Sequence, residues 1–195
     1  TGVQTCALPI WMDGLLAGCV LLSGSALAIF CYVTGRSDWT FYLDLPYIPE
    51  AGEMAVMGAA LVGACLGFLY HNSYPAAVFM GDSGSLPVGG LLAWMAFVAK
   101  QELVLPLLGF VFFAELGSSA LQRFWYRRTG GKRLFTMAPI HHGLQTKGGI
   151  FRPGAAPWHE VKVVTRAWIV AAVCAVASLA LMKVPLLRPD VILMD

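Results

Sequence analysis

The sequence predicts an all-α integral membrane protein with about five transmembrane helices. Three observations carry that prediction. Of 195 residues, 58% are hydrophobic and 12% charged, with a mean hydropathy of +0.70, whereas soluble domains carry about 25% charged residues. The apolar residues gather into five runs, at 14–34, 54–70, 86–99, 103–122 and 165–187, and a hydrocarbon core asks for about 20 residues per helix. The charges outside those runs are unevenly shared. The stretch 123–166 holds nine of the 13 Lys and Arg residues, while 36–53 sets Arg36 against Asp38, Asp44, Glu50 and Glu53.

Each run has its own signature. The first carries "GSALA" and the second "GAALVGACLG", small residues that let helices approach closely in lipid. The third, "LPVGGLLAWMAFVA", is short, so it borrows flanking residues or tilts against its neighbours. The fourth contains Glu115, costly in lipid and therefore expected to face the bundle interior, hydrogen-bonded or protonated. By the positive-inside rule, 123–166 is cytoplasmic and 36–53 external. Alternating the spans then places 12–14, 71–85 and 123–164 on one cytoplasmic face. Topology or attraction to phosphate explains the basic cluster equally well, and nucleic acid is not an expected partner.

Residues 1–10, "TGVQTCALPI", are identical to the translation of a common sequencing-library adapter. They are expected to be foreign, with Trp11 half so, and genuine protein to start near Met12. Of the five cysteines, Cys6 falls in that stretch. Cys19, Cys31, Cys65 and Cys174 lie singly inside apolar runs and read as small core residues, not as a zinc or disulfide framework.

Three polar segments could carry chemistry. "FMGDSGSLPVGG", 79–90, sets Asp82 among four glycines. A hard carboxylate oxygen with backbone N–H groups nearby suits Mg²⁺ and phosphate; an Asp helix cap is the equally weighted alternative. "MAPIHHGLQTKGG", 137–149, places His141 and His142 side by side, which suggests a loop with separately aimed rings. Two solvated loop histidines are the plainer reading. Asp13, at the start of the first run, and Asn72, at the end of the second, read as helix-end partners or as polar substrate contacts.

Together, "NSYPAAVFMGDSGSLPVGG" and "RLFTMAPIHHGLQTKGG" resemble the hallmark cytoplasmic loops of the phospho-N-acetylmuramoyl-pentapeptide transferases, a branch of the polyprenyl-phosphate N-acetylhexosamine-1-phosphate transferase family. "DGLLAG", 13–18, is similar to the tail of that family's Asp-Gly-Leu-Asp loop. The resemblance runs from about Met12 to the last span. It implies a fragment of a ten-helix bundle, covering helices six to ten, in a multi-pass enzyme of the bacterial inner membrane with cytoplasmic active-site loops. The implied reaction moves phospho-MurNAc-pentapeptide from its UDP carrier to undecaprenyl phosphate, giving lipid I and UMP, and requires Mg²⁺.

The implied catalytic residues are Asp82, as metal ligand, His141, His142 and Asp13. Asn72, Phe79, Gly81, Ser85 and Gln122 fall at substrate-contacting positions. Membrane lipids and a second copy in a homodimer complete the expected partners. The pattern departs at Gly143, where a third histidine is usual, and at Gln145, where Glu is common. The family's paired aspartates and first five helices have no counterpart here, so the fragment is expected to be inactive alone. Two other readings stay open. One is a sister enzyme transferring GlcNAc-1-phosphate, favoured by Leu144 after the histidines. The other is a non-catalytic membrane scaffold or lipid-binding subunit.

Overall fold

A computed structural model describes residues 12–131, 133–151, 154 and 156–183. The adapter reading of residues 1–10, and the basic residues Lys132 and Arg152, lie outside the described residues. The described chain is α-helical: α1 (Leu15–Thr34), α2 (Ser37–Leu43), α3 (Ala51–Asn72), α4 (Gly81–Val98), α5 (Leu105–Leu108), α6 (Phe110–Arg128), α7 (Ile140–Lys147) and α8 (Glu160–Ala180), closed by a 3₁₀ turn at Leu181–Lys183. Among these, α1, α3 and α8 are long and apolar enough to cross a membrane.

The two other expected spans take different forms. The third run gains a polar start: α4 begins at Gly81, so Asp82, Ser83 and Ser85 belong to a helix and not to the loop before it. The fourth run is divided at Gly109 into α5 and α6. Helix α6 then continues to Arg128, which puts Arg123, Arg127 and Arg128 on its last turns. There the cations also complement the helix C-terminus.

Helix α1 is the centre of the bundle. It packs against α3, α8, α4 and α2, and Leu27, Phe30 and Cys31 are fully buried along it. One apolar cluster joins them to Leu61 and Cys65 of α3, Leu92 and Met95 of α4, and Ala175 of α8. A second joins Met12, Leu15 and Cys19 to Val163, Val164 and Ala171 of α8, with Leu144 of α7 packed against it. Gly18 makes the α1–α8 contact close, because a Cβ there would run into the Trp168 indole.

Hydroxyl groups inside these helices are satisfied locally. Ser23, Thr34 and Ser178 donate to the carbonyls of Cys19, Phe30 and Cys174 at 2.8, 2.8 and 2.7 Å. Hydrocarbon offers no other partner, so a polar side chain must find one in its own helix. The outward faces of α3 and α8 expose Val56, Met57, Leu66, Ile169, Val173 and Val176, the surface expected of helices solvated by lipid.

Candidate functional site

The turn before α1 is the hub of the site. Gly14 takes a left-handed conformation, φ 77°, which turns the chain into the helix. Three segments grip this turn. Asn72, buried at the end of α3, accepts the Gly14 N–H at 3.0 Å and donates to the Val78 carbonyl at 2.6 Å. Asp13 Oδ2 accepts the Ala76 N–H at 2.9 Å. Glu160, in the first turn of α8, accepts the Asp13 N–H at 3.0 Å, and Trp168 Nε1 donates to the Gly14 carbonyl at 3.2 Å. The loop 73–80 is thereby pinned beside the start of α1.

A small cavity of about 20 Å³ opens at this junction, lined by Met12, Leu16, Phe68, Asn72, Phe79, Met80, Gly81 and Ser85. Four of the five residues singled out from sequence as substrate-contacting therefore meet at one place. Asp82 follows directly, in the first turn of α4. Its side chain is exposed, makes no cap hydrogen bond and has no polar partner among the described residues. That removes the cap reading, for Met80 is the capping position. No group of three or more His, Cys, Asp or Glu side chains gathers around a point among the described residues. A cation at Asp82 would thus complete its shell with ligand phosphates and water, as Mg²⁺ commonly does.

The histidines stand on helix α7, contrary to the loop expected from their adjacency. Their rings nonetheless diverge, with centroids 6.4 Å apart and planes at 68°. His141 is buried and His142 half-buried. Glu115 of α6 reaches His141 with both oxygens. Oε1 accepts the His141 backbone N–H at 3.3 Å, and Oε2 lies 2.9 Å from Nδ1. The second approach is close but off the N–H direction, so neither atom gains an aligned hydrogen bond. Glu115 faces inward as expected, and it supplies an acceptor to the first turn of α7, where Pro139 offers no side-chain cap.

Gln122 lies one turn-pair further along α6. Its Oε1 accepts both the Leu134 and Phe135 N–H groups, at 3.1 and 2.9 Å, so it shapes the loop that carries the histidine helix. Gly143 is tightly enclosed: a Cβ would stand 3.0 Å from the Met137 carbonyl and 3.2 Å from Thr136 Oγ1. A third histidine would need that loop to move. Leu144 packs against the cluster containing Met12 and Val163; this joins α7 to the hub and gives the leucine a packing reason. Sequence reasoning missed Glu160 and Trp168. Neither lies in a chemistry-bearing motif, and only the return of α8 to the start of α1 reveals them.

Residues 12–100 match the model of glycosyl transferase family 4. The chain is 44% identical over 177 residues to a phospho-N-acetylmuramoyl-pentapeptide-transferase of Amoebophilus asiaticus, covering 88% of this chain and 42% of that protein. It is 45% identical over 172 residues to the enzyme of the same name from Thermodesulfovibrio yellowstonii, covering 88% and 45%. A third relative of the same name, from Neisseria gonorrhoeae, is 44% identical over 173 residues and covers 89% and 45%. The chain spans less than half the length of these relatives. The family match covers the hub, the cavity and Asp82, while the identity with the named transferases extends over most of the chain, including the region of Glu115 and the histidine helix.

Proposed function

We propose that this chain forms part of the active centre of a phospho-N-acetylmuramoyl-pentapeptide transferase. The complete enzyme transfers phospho-MurNAc-pentapeptide from UDP to undecaprenyl phosphate, releasing UMP and forming lipid I. The observation that carries the reading is Asp82. It is an exposed carboxylate with no polar partner among the described residues, next in sequence to Gly81 of the Asn72–Phe79–Gly81–Ser85 cavity, in a chain 44% identical to transferases of that name.

The residues divide the work as follows. Asp82 is the ligand for Mg²⁺, which when bound neutralises diphosphate charge and the leaving UMP. Phosphoryl transfer asks the protein chiefly for positioning and charge stabilisation. Gly81 and Ser85 line the cavity and, as neighbours of Asp82 in sequence, carry no bulky side chain to hold a phosphate away. Phe79, half exposed at the cavity rim, offers a flat face to a base. Both polar ends of Asn72 are engaged, so it serves the substrate by holding the cavity open. Gln122 keeps its amide nitrogen for a ligand while its oxygen fixes the 134–135 backbone. His142 is the more accessible histidine for a phosphate oxygen, and Glu115 orients His141. Asp13 keeps one carboxylate oxygen outside its bond to Ala76. The active face is cytoplasmic, with 123–164 inside and 36–53 outside.

The scaffold reading would leave the residues singled out from sequence dispersed, whereas four of them line one cavity and Leu144 of α7 packs against the cluster that holds Met12 of that lining. Leu144, which favoured the GlcNAc-1-phosphate sister enzyme, has a structural role. The deciding experiment restores this segment within a full-length enzyme and supplies undecaprenyl phosphate with UDP-MurNAc-pentapeptide or UDP-GlcNAc. Lipid I from the first donor is expected. Product only from the second would transfer the chain to the sister activity, and product from neither would return it to the scaffold. Labelling of single cysteines in intact cells, at the exposed position 50 and not at 130 from outside, checks the orientation.

A further inference from the structure

The connection 35–50 reads in sequence as a plain external loop, yet half of it folds. Helix α2 turns one face to the bundle through Thr40, which is buried at 3% exposure. The Thr40 hydroxyl is satisfied by the Arg36 and Ser37 carbonyls, both at 3.0 Å. The opposite side carries Phe41 at 93% exposure, Tyr42 at 67% and Trp39 at 49%, followed by Tyr47 at 53%. One helical turn advances about 3.6 residues, so positions 39, 41 and 42 fan out around the face away from Thr40. Four large aromatic side chains thus stand outward from a segment of modest length.

The neighbouring elements fix where this face must be. Helices α1 and α3 are both membrane-crossing in length and composition. Their ends meet directly: a Cβ on Gly35 would come 2.5 Å from the Gly52 backbone nitrogen. The Ile48 N–H donates to the Thr34 carbonyl at 3.0 Å, closing the base of the connection. Helix α2 is therefore tethered at the level where two spans leave the hydrocarbon. Trp, Tyr and amphipathic short helices collect at that depth, because an aromatic ring has an apolar body and, in Trp and Tyr, a polar tip.

The charges say how it would bind. Arg36 is the only cation between 35 and 53, and it already pairs with Asp38 at 3.3 Å and donates to the Tyr32 hydroxyl at 3.0 Å. Asp38, Asp44, Glu50 and Glu53 make the segment net negative. Attraction to anionic head groups is thereby disfavoured. We propose that α2 is a membrane-surface foot, with Trp39, Phe41, Tyr42 and Tyr47 seated in the headgroup–acyl boundary of the bilayer through apolar contact alone, fixing the depth at which α1 and α3 emerge. This does not depend on the transferase reading.

The test uses the full chain in phosphatidylcholine vesicles, with and without added phosphatidylglycerol. In a Cys6→Ser, Cys174→Ala background, a spin label is placed at Phe41→Cys, Tyr42→Cys or, as an aqueous control, Glu50→Cys. Accessibility to oxygen, which concentrates in lipid, is compared with accessibility to a water-soluble nickel chelate. The expected oxygen-to-chelate ratio is several-fold higher at 41 and 42 than at 50, in both lipid compositions. Quenching of tryptophan fluorescence by brominated lipid should also fall in Trp39→Phe, a variant that needs no label. A chelate-dominated signal at 41 and 42 with unchanged quenching in Trp39→Phe would overturn the proposal. So would a label sealed from both reagents, which would mean a protein partner or second copy, or an oxygen preference confined to anionic vesicles.

Discussion

Replacing Asp82 by Asn separates the metal role from every structural role, and the structure sets both magnitudes. The side chain is exposed, caps nothing and pairs with nothing among the described residues. Its loss from the first turn of α4 forfeits only the favourable interaction of a carboxylate with a helix N-terminus, about 0.3–1 kcal/mol. Folded stability should therefore barely change. Activity should not survive so well. A neutral amide cannot supply the charge a hard divalent cation requires. Removing one key electrostatic group from a preorganised site costs about 10²-fold or more in turnover, equivalent to at least about 2.7 kcal/mol at 1.36 kcal/mol per tenfold. The assay is lipid I formation against Mg²⁺ concentration in a full-length enzyme carrying this segment, beside thermal unfolding in detergent. The expected result is a large loss of rate, a weakened Mg²⁺ dependence and a near-constant melting temperature. Wild-type rates with an unaltered Mg²⁺ curve would refute the metal assignment, and a large drop in melting temperature would refute the premise that Asp82 is structurally idle.

Three further outcomes follow from the packing around the site. Gly18→Ala puts a methyl group where the Trp168 indole lies, so unfolding in detergent should show a loss of about 1–3 kcal/mol from overpacking; Trp168→Phe, which loses the 3.2 Å bond to Gly14 and the part of the indole packed against Gly18, should cost at least about 1 kcal/mol. Asn72→Ala orphans the Gly14 N–H and the Val78 carbonyl, at about 1–3 kcal/mol for each group left unpaired, and Asn72→Asp, which keeps the acceptor, should recover part of that loss in the same unfolding experiment. Glu115→Ala should destabilise more than Glu115→Gln, because Gln retains an acceptor for the His141 N–H. If Glu115 orients His141, Glu115→Gln should still lower turnover while the protein stays folded, and equal turnover would reduce Glu115 to a helix-end acceptor.

Hydropathy and charge, read along the chain, determined the all-α membrane character, the position of α1, α3 and α8, and the segments in which polar chemistry could lie. Those are local quantities. Transferring about 20 apolar residues into hydrocarbon dominates the free energy of a span whatever its neighbours do. The motif around Asp82 and the adjacent histidines were visible for a related reason, since Gly, Asp and His are conspicuous between apolar runs. The tertiary structure decided what each polar group faces. Adjacency of His141 and His142 argued for a loop, but they stand on α7, and Glu115, from another helix, accepts an N–H in its first turn. Asp82 and Asp13 looked alike as carboxylates at helix starts; Asp13 is bonded to Ala76 while Asp82 has no polar partner among the described residues, a difference set by the return of the 73–80 loop to the hub. Glu160 and Trp168 were invisible because their partners lie 147 and 154 residues away. A hydrogen bond constrains two residues that composition and periodicity treat separately, so only the packed helices could pair them.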